Sequence, residues 1–208
     1  MEENKTKSWR DGIIFAMSSL LIVCGILYYS YITYLMIMMG IKEFTTSFIV
    51  PGIEIVCYLL FGILAFVFIG KGKCPKAFLA LGLLIEPFGR IVSEIRSFVN
   101  FSVTLLTGIV DSINLVLSIL VFIFVIFALF NLAGKRKLWN ILASSIFIAL
   151  NLYTLLNNME LNLGVDYVST FIFPILLVAF GVLYLLISIK NEGCACGKCE
   201  CKTDNKTK

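Results

Sequence analysis

Long runs of apolar residues, separated by short polar segments, constrain this chain more than any other feature. Six runs have the length of about 20 residues that an α-helix needs to cross about 30 Å of hydrocarbon. They cover residues 12–39, 49–69, 77–98, 108–132, 138–158 and 167–189. Because backbone groups find no water inside a bilayer, helices that satisfy their own hydrogen bonds are the expected form. The sequence therefore predicts an all-α integral membrane protein with six transmembrane helices.

Composition supports this interpretation and leaves no room for a separate soluble domain. Hydrophobic residues make up 60% of the chain and charged residues 14%, whereas soluble domains are about 45–50% apolar and about 25% charged. The first apolar run is also too long for the h-region of a signal peptide, which has about 7–15 residues. We therefore expect residues 1–190 to form the transmembrane domain and residues 191–208 to form a flexible tail rich in Cys and Lys.

Lysine and arginine residues are concentrated in alternate loops. On one side of the predicted membrane lie Lys5, Lys7, Arg10, Lys71, Lys73, Lys76, Lys135, Arg136, Lys137 and the lysines of the tail. The opposite side offers Lys42, with Arg96 near the end of the third span. Because basic loops face the cytoplasm, the asymmetry predicts a cell-membrane protein with both termini in the cytoplasm. Basic residues in short pieces between apolar spans also argue against nucleic acid as a partner.

A weak internal similarity relates three of the predicted helices. The stretch IVPGIEIV at residues 49–56 resembles IVDSINLV at 109–116, and FIVP at 48–51 resembles FIFP at 171–174. Each stretch opens a helix that runs from outside to inside. The pattern is typical of three tandem helical hairpins of about 60 residues each. The alternative is that a chain rich in Ile, Phe and Val matches itself by composition alone.

The third span carries charged residues at the depth of the bilayer. Glu86, Arg90 and Glu94 are four residues apart, so they share one helix face and can form a ladder of ion pairs. Charges at this depth cost about 2.5–3.5 kcal/mol each on insertion scales, and they usually pair or line a cavity. Arg90 is the most informative of them, because a guanidinium keeps its charge and needs a partner.

Polar residues of other helices fall in the same outer half of the predicted membrane. They suggest a substrate-binding pocket that opens to the outside and has tyrosines in its wall, as small-molecule sites are often built. The candidate residues are Glu54, Glu86, Arg90, Glu94, Asn114, Asn151, Tyr28 and Tyr31. In the alternative interpretation, the Glu–Arg pairs fasten helices together and the tyrosines form an interfacial belt.

The tail contains four cysteines in the pattern C-x-C-x-x-C-x-C: Cys194, Cys196, Cys199 and Cys201. The predicted topology places them in the cytosol, where thiols stay reduced and disulfides are not expected. Four thiolates in a short segment suit Zn²⁺ or Cu(I). Over about eight residues the pattern resembles a fragment of a metallothionein. The alternatives are S-acylation beside the membrane and a tail with no specific role.

Motifs of common enzyme classes are missing from the sequence. The chain has no histidine, no phosphate-binding G-x-x-x-x-G-K-[ST] loop and no G-x-S-x-G nucleophile elbow, so we do not expect an enzyme. In size and topology the chain is similar to the substrate-binding membrane subunits of energy-coupling-factor vitamin transporters. This similarity is one of architecture, with no shared motif.

Three functional hypotheses remain open at this point. The leading one is binding or transport of a small solute or ion through the outward pocket. The second is a protein that senses or handles Zn²⁺ or Cu(I) with its tail, and the third is a structural subunit of a membrane complex. The expected partners are the lipid bilayer, a small solute, and a partner subunit or an ATPase in trans.

Overall fold

The computed structural model describes residues 2–38, 40, 48–69, 75–99, 105–161 and 171–190. Six α-helices account for nearly all of these residues: α1 (Glu2–Met38), α2 (Ile49–Val67), α3 (Pro75–Val99), α4 (Leu105–Leu129), α5 (Arg136–Leu161) and α6 (Phe173–Lys190). A short 3₁₀ helix, Leu132–Gly134, joins α4 to α5. No strand occurs within these ranges, so the predicted all-α class is confirmed for the described part of the chain.

The observed helices follow the predicted runs with two differences at their ends. α1 begins about ten residues before its apolar run, because the polar residues that precede Gly12 are compatible with continued helix. α6 begins at Phe173 rather than at residue 167, and residues 162–170 lie outside the described part. The four other helices agree with the predicted runs to within about three residues at each end.

Five of the six helices are long and apolar enough to cross a membrane: α1, α2, α4, α5 and α6. The third predicted span, α3, is long enough but carries four charged residues between its middle and its end. Large apolar side chains are exposed on the outside of every helix, as on Ile26, Val56, Phe88, Val116 and Leu186. Such a surface is suited to lipid contact, and the apolar helices are compatible with a multi-pass membrane protein.

Each helix packs against the next one in the chain, and α1 also packs against α6, so the bundle closes on itself. Ring contacts show that neighbours run antiparallel, since Phe15 near the start of α1 meets Phe66 near the end of α2 at 5.4 Å. At the same end of the bundle, the ammonium of Lys190 lies 4.2 Å from the ring centre of Trp9. Arg10, Lys76, Arg136 and Lys190 thus share what we call the basic end.

Tightly packed apolar side chains fill the half of the bundle that includes the basic end. Met17, Leu21, Leu79, Leu83 and Phe180 are fully buried there. Glycines allow the helices to approach closely in this half, as is common where helices associate in membranes. A Cβ at Gly62 of α2 would lie 2.8 Å from Ile22 Cγ1 and 3.1 Å from the backbone oxygen of Ser18 in α1.

Gly62→Ala is therefore expected to push α1 and α2 apart and to lower the free energy of unfolding by about 1–3 kcal/mol. Gly12→Ala is the matched control, since a Cβ there meets nothing within 4 Å. Unfolding followed by circular dichroism in a mild detergent measures both variants. Equal stability of the two variants would contradict the close approach.

Candidate functional site

A cavity of about 400 Å³ lies in the half of the bundle opposite the basic end. It forms where α1, α3 and α5 end and where α2 and α6 begin, and its size is in the range of small-molecule pockets. The lining residues are Tyr28, Tyr31, Val50, Pro51, Glu54, Tyr58, Glu86, Gly89, Arg90, Val92, Ser93, Arg96, Asn151, Thr154, Phe173 and Pro174. Five helices meet at the cavity, and α4 contributes no described residue to its lining.

Glu86 is the centre of a polar cluster in the cavity wall. Its Oε1 accepts a hydrogen bond from Nε of Arg90, one turn further along α3. Its Oε2 accepts a hydrogen bond of 3.1 Å from Nδ2 of Asn151 in α5. The same Nδ2 also donates to the backbone oxygen of Phe147 at 3.0 Å. Both oxygens of this buried carboxylate are therefore satisfied, and the cluster links α3 to α5.

Glu54 is the second buried carboxylate of the cavity, with 8% of its surface exposed. The hydroxyl of Tyr28 in α1 lies close enough to this carboxylate to interact with it. Its carboxylate lies against Gly89 of α3, and a Cβ at Gly89 would occupy the position of the carboxylate. The glycine is required here because any larger residue would displace the acid from the cavity wall.

Aromatic rings form another part of the cavity wall. The ring of Phe173, at the start of α6, lies 5.3 Å from that of Tyr28. It also meets the ring of Tyr58 edge-on at 5.8 Å. Both distances are within the range of favourable aromatic pairs. The three rings come from three helices, so they place an apolar surface beside the two acids.

Two lining residues carry buried polar atoms that have no hydrogen-bond partner among the described residues. They are the hydroxyl of Tyr58 and the Oδ1 atom of Asn151. Tyr58 is 1% exposed and Asn151 is fully buried. Buried polar groups in proteins are almost always paired with protein or water. The cavity wall therefore has hydrogen-bonding capacity that the surrounding protein does not use.

The structure brings six of the eight candidate residues from the sequence into one cavity. These are Tyr28, Tyr31, Glu54, Glu86, Arg90 and Asn151. The first part of the predicted ladder, Glu86 with Arg90, is present. The pair lines the cavity, and Glu86 also joins α3 to α5 through its hydrogen bond with Asn151. A pocket and a helix-fastening role for these charges are therefore compatible.

Glu94 and Asn114 lie outside the cavity lining. Glu94 is close enough to Asp111 of α4 for the two carboxylates to interact electrostatically. Asn114 is buried on α4, and its Oδ1 has no partner within the described part of the chain. The structure therefore does not place these two candidates with the other six in the cavity lining.

Sequence reasoning missed Tyr58, Thr154 and Phe173 as lining residues. The sequence contained a feature that could have indicated each of them. Tyr58 follows Glu54 by four residues and Thr154 follows Asn151 by three, so each shares a helix face with a candidate. Phe173 belongs to the FIFP stretch that resembles FIVP, and the prolines of both stretches, Pro51 and Pro174, line the cavity.

The predicted metal ligands, Cys194, Cys196, Cys199 and Cys201, lie outside the described residues. Within the ranges that the structure describes, no group of three or more His, Cys, Asp or Glu side chains is arranged to hold a metal ion. Cys24 and Cys57 are free thiols in α1 and α2. The soft-metal site stays a prediction from the sequence.

Comparison with known proteins adds no relative. No family model, no curated protein and no solved structure gives a significant match to the chain. Functional inference therefore depends on the geometry of the cavity.

A double-mutant cycle tests the Glu86–Arg90 pair. Glu86→Gln and Arg90→Gln should each destabilise the protein, because each leaves a largely buried charge without its partner. The double variant should lose less stability than the sum of the two, with a coupling energy of about 1–3 kcal/mol. Unfolding midpoints of the four proteins in one detergent give this energy, and strictly additive losses would contradict the pairing.

Proposed function

We propose that the protein crosses the cell membrane six times and binds or transports a small solute through the cavity. The observation that carries this proposal is a polar cavity within an otherwise apolar bundle. Two buried carboxylates, a guanidinium and an amide converge there from α2, α3 and α5. Charges inside a membrane protein are costly and usually mark a functional site. The proposal concerns binding and transport, not catalysis.

The packing of α3 supports its assignment as a membrane span in addition to the five apolar helices. It lies between α2 and α4 and also contacts α1. Its first half is buried at Leu79, Leu83 and Ile85, and its 25 residues extend about 37 Å, enough to cross the hydrocarbon. The charges that make α3 look polar are directed in part to the cavity, at Glu86 and Arg90, rather than to lipid.

The basic end gives the proposed orientation. Arg10, Lys76, Arg136 and Lys190 lie at this end, which we assign to the cytoplasm because basic loops are retained there. The cavity then opens to the outside, and both termini are cytoplasmic. Beneath the cavity, the apolar core closes the path to the basic end. A solute that enters from outside would bind first, and its release inside would need a rearrangement of the helices or a partner subunit.

A cavity-filling variant tests the proposal. Gly89→Leu should place a side chain where the carboxylate of Glu54 lies, and so remove the binding site. Gly12→Leu is the control, since Gly12 has open space around it. Cationic, anionic, zwitterionic and neutral small solutes would be screened for their effect on the melting temperature in a mild detergent.

The proposal expects at least one class of solute to raise the melting temperature of the wild type and of Gly12→Leu, but not that of Gly89→Leu. Helicity and elution volume show whether Gly89→Leu has folded. A panel without any effect on the wild type, or an effect that persists in folded Gly89→Leu, would contradict solute binding in this cavity.

The cysteine tail supports a second, separable proposal, the binding of Zn²⁺ or Cu(I). α6 ends at Lys190, whose ammonium lies against Trp9 at the basic end, so the residue that precedes the tail lies at the end opposite the cavity. Metal handling by the tail therefore needs no contact with the solute site. The four closely spaced thiols are the observation that favours it.

Replacing Cys194, Cys196, Cys199 and Cys201 with Ser should abolish bound metal and leave any solute-induced change in melting temperature intact. Metal content is measured by mass spectrometry on protein purified under reducing conditions. Near-stoichiometric zinc or copper in the wild type is the expected result. A metal-free wild type with reduced thiols would contradict the metal site.

A further inference from the structure

The charges around the inner part of the cavity do not cancel. Glu54 and Glu86 contribute two negative charges when ionised, and Arg90 contributes one positive charge. Arg90 hydrogen-bonds to Glu86, whereas the group close to Glu54 is the neutral hydroxyl of Tyr28. The next cation in the lining, Arg96, is exposed and lies about 9 Å further along α3. With both acids ionised, the inner cavity has one negative charge in excess, which favours a cation.

The unused hydrogen-bonding groups in the wall favour a donor. Asn151 uses its Nδ2 for Glu86 and Phe147, so its Oδ1 atom remains as an acceptor without a described partner. The Tyr58 hydroxyl, also without a described partner, can accept through its oxygen and can also donate its own proton. An ammonium group supplies N–H donors and has no acceptor. A carboxylate or phosphate solute would instead face the oxygens of Glu54 and Asn151.

The aromatic wall favours an organic cation over a bare metal ion. Ring faces attract ammonium groups by about 0.5–2 kcal/mol, more when the site is dry, and Tyr28, Tyr58 and Phe173 lie together in the wall. Ca²⁺ and Mg²⁺ instead require about six or more oxygen ligands at short distance. In the part of the chain that the structure describes, no cluster of three acidic, His or Cys side chains could provide them.

From these three observations, and resting on the proposed solute-binding function of the cavity, we propose that its solute is a small organic cation. The cation is a primary or alkylated amine whose ammonium group binds beside Glu54 and the ring of Tyr28. Its N–H groups donate to the Glu54 carboxylate and to the free acceptors of Asn151 and Tyr58. Glu86 and Arg90 form the wall against which the rest of the solute packs.

Three probes of one shape and different charge test this assignment: benzylamine, benzyl alcohol and benzoate. Binding to the wild type, to Glu54→Gln and to Glu94→Gln is measured by calorimetry in lipid nanodiscs at neutral pH. Glu94→Gln is the matched control, because it removes a carboxylate of α3 that lies outside the cavity lining. We expect the wild type and Glu94→Gln to bind benzylamine in preference to the other two probes. Glu54→Gln should weaken the binding of benzylamine at least about ten-fold, because it removes the charge-assisted hydrogen bond.

A second pair of variants provides the test if Glu54→Gln fails to fold. Tyr28→Phe keeps the aromatic ring and should keep benzylamine binding, whereas Tyr28→Leu removes the ring and should weaken it. Equal binding of benzylamine to Tyr28→Phe and Tyr28→Leu would contradict the role of the ring.

The failure of this inference can be told apart from the failure of the proposed function. If benzoate or benzyl alcohol binds best, or if benzylamine binding is the same in folded Glu54→Gln, the amine assignment is overturned. The amine assignment is also overturned if none of the three probes binds but another solute still raises the melting temperature of the wild type and not that of Gly89→Leu. In each of these cases solute binding in the cavity stands. If no solute has this effect, both proposals fall.

Discussion

The carboxylate of Glu86 holds the polar half of the bundle together. Only 7% of its surface is exposed, so each of its oxygens needs a hydrogen-bond donor from the protein. Arg90 supplies one donor from the same helix and Asn151 supplies the other from α5. The bond from Asn151 fixes α3 against α5 at the level of the cavity, and the bond from Arg90 lies within α3. Replacement of Glu86 with an apolar residue would remove the charge but would also leave Arg90 without its partner.

This arrangement divides the bundle into two halves with different physical roles. Toward the basic end, apolar side chains and glycines pack the helices closely, and the structure there resembles the solid core of a soluble protein. Toward the other end, two acids, two guanidinium groups and four aromatic rings line a cavity between the helices. Packing in the apolar half fixes the positions of the helices relative to one another. In the other half, residues of five helices therefore meet at one site.

Much of this division could be predicted from the sequence, because it depends on the length of the apolar runs and on the position of each polar residue along its helix. Runs of about 20 apolar residues predict helices reliably, and the third run is recognisable despite its charges. Depth, counted in residues along each helix, places Glu54, Glu86, Arg90 and Asn151 near one level. Rotation about the helix axis could not be predicted in the same way. Glu94 and Asn114 were predicted at a similar depth but do not line the cavity, and Tyr58 was missed, because the direction of a side chain depends on which neighbours its helix packs against.

We propose that α3 crosses the membrane with Glu86, Arg90 and Arg96 turned to a cavity that water can enter. A spin-label scan along α3 in lipid nanodiscs, in a chain whose cysteines are replaced with Ser, tests it most directly. The account predicts that a water-soluble nickel chelate reaches a label at Ser93, in the cavity lining, while oxygen dissolved in lipid reaches labels at Phe88 and Ile95 on the exposed apolar face. If the nickel chelate instead reached one continuous face of α3 from Lys76 to Phe98, the helix would lie on the membrane surface. That result would contradict both the assignment of α3 as a membrane span and the cavity.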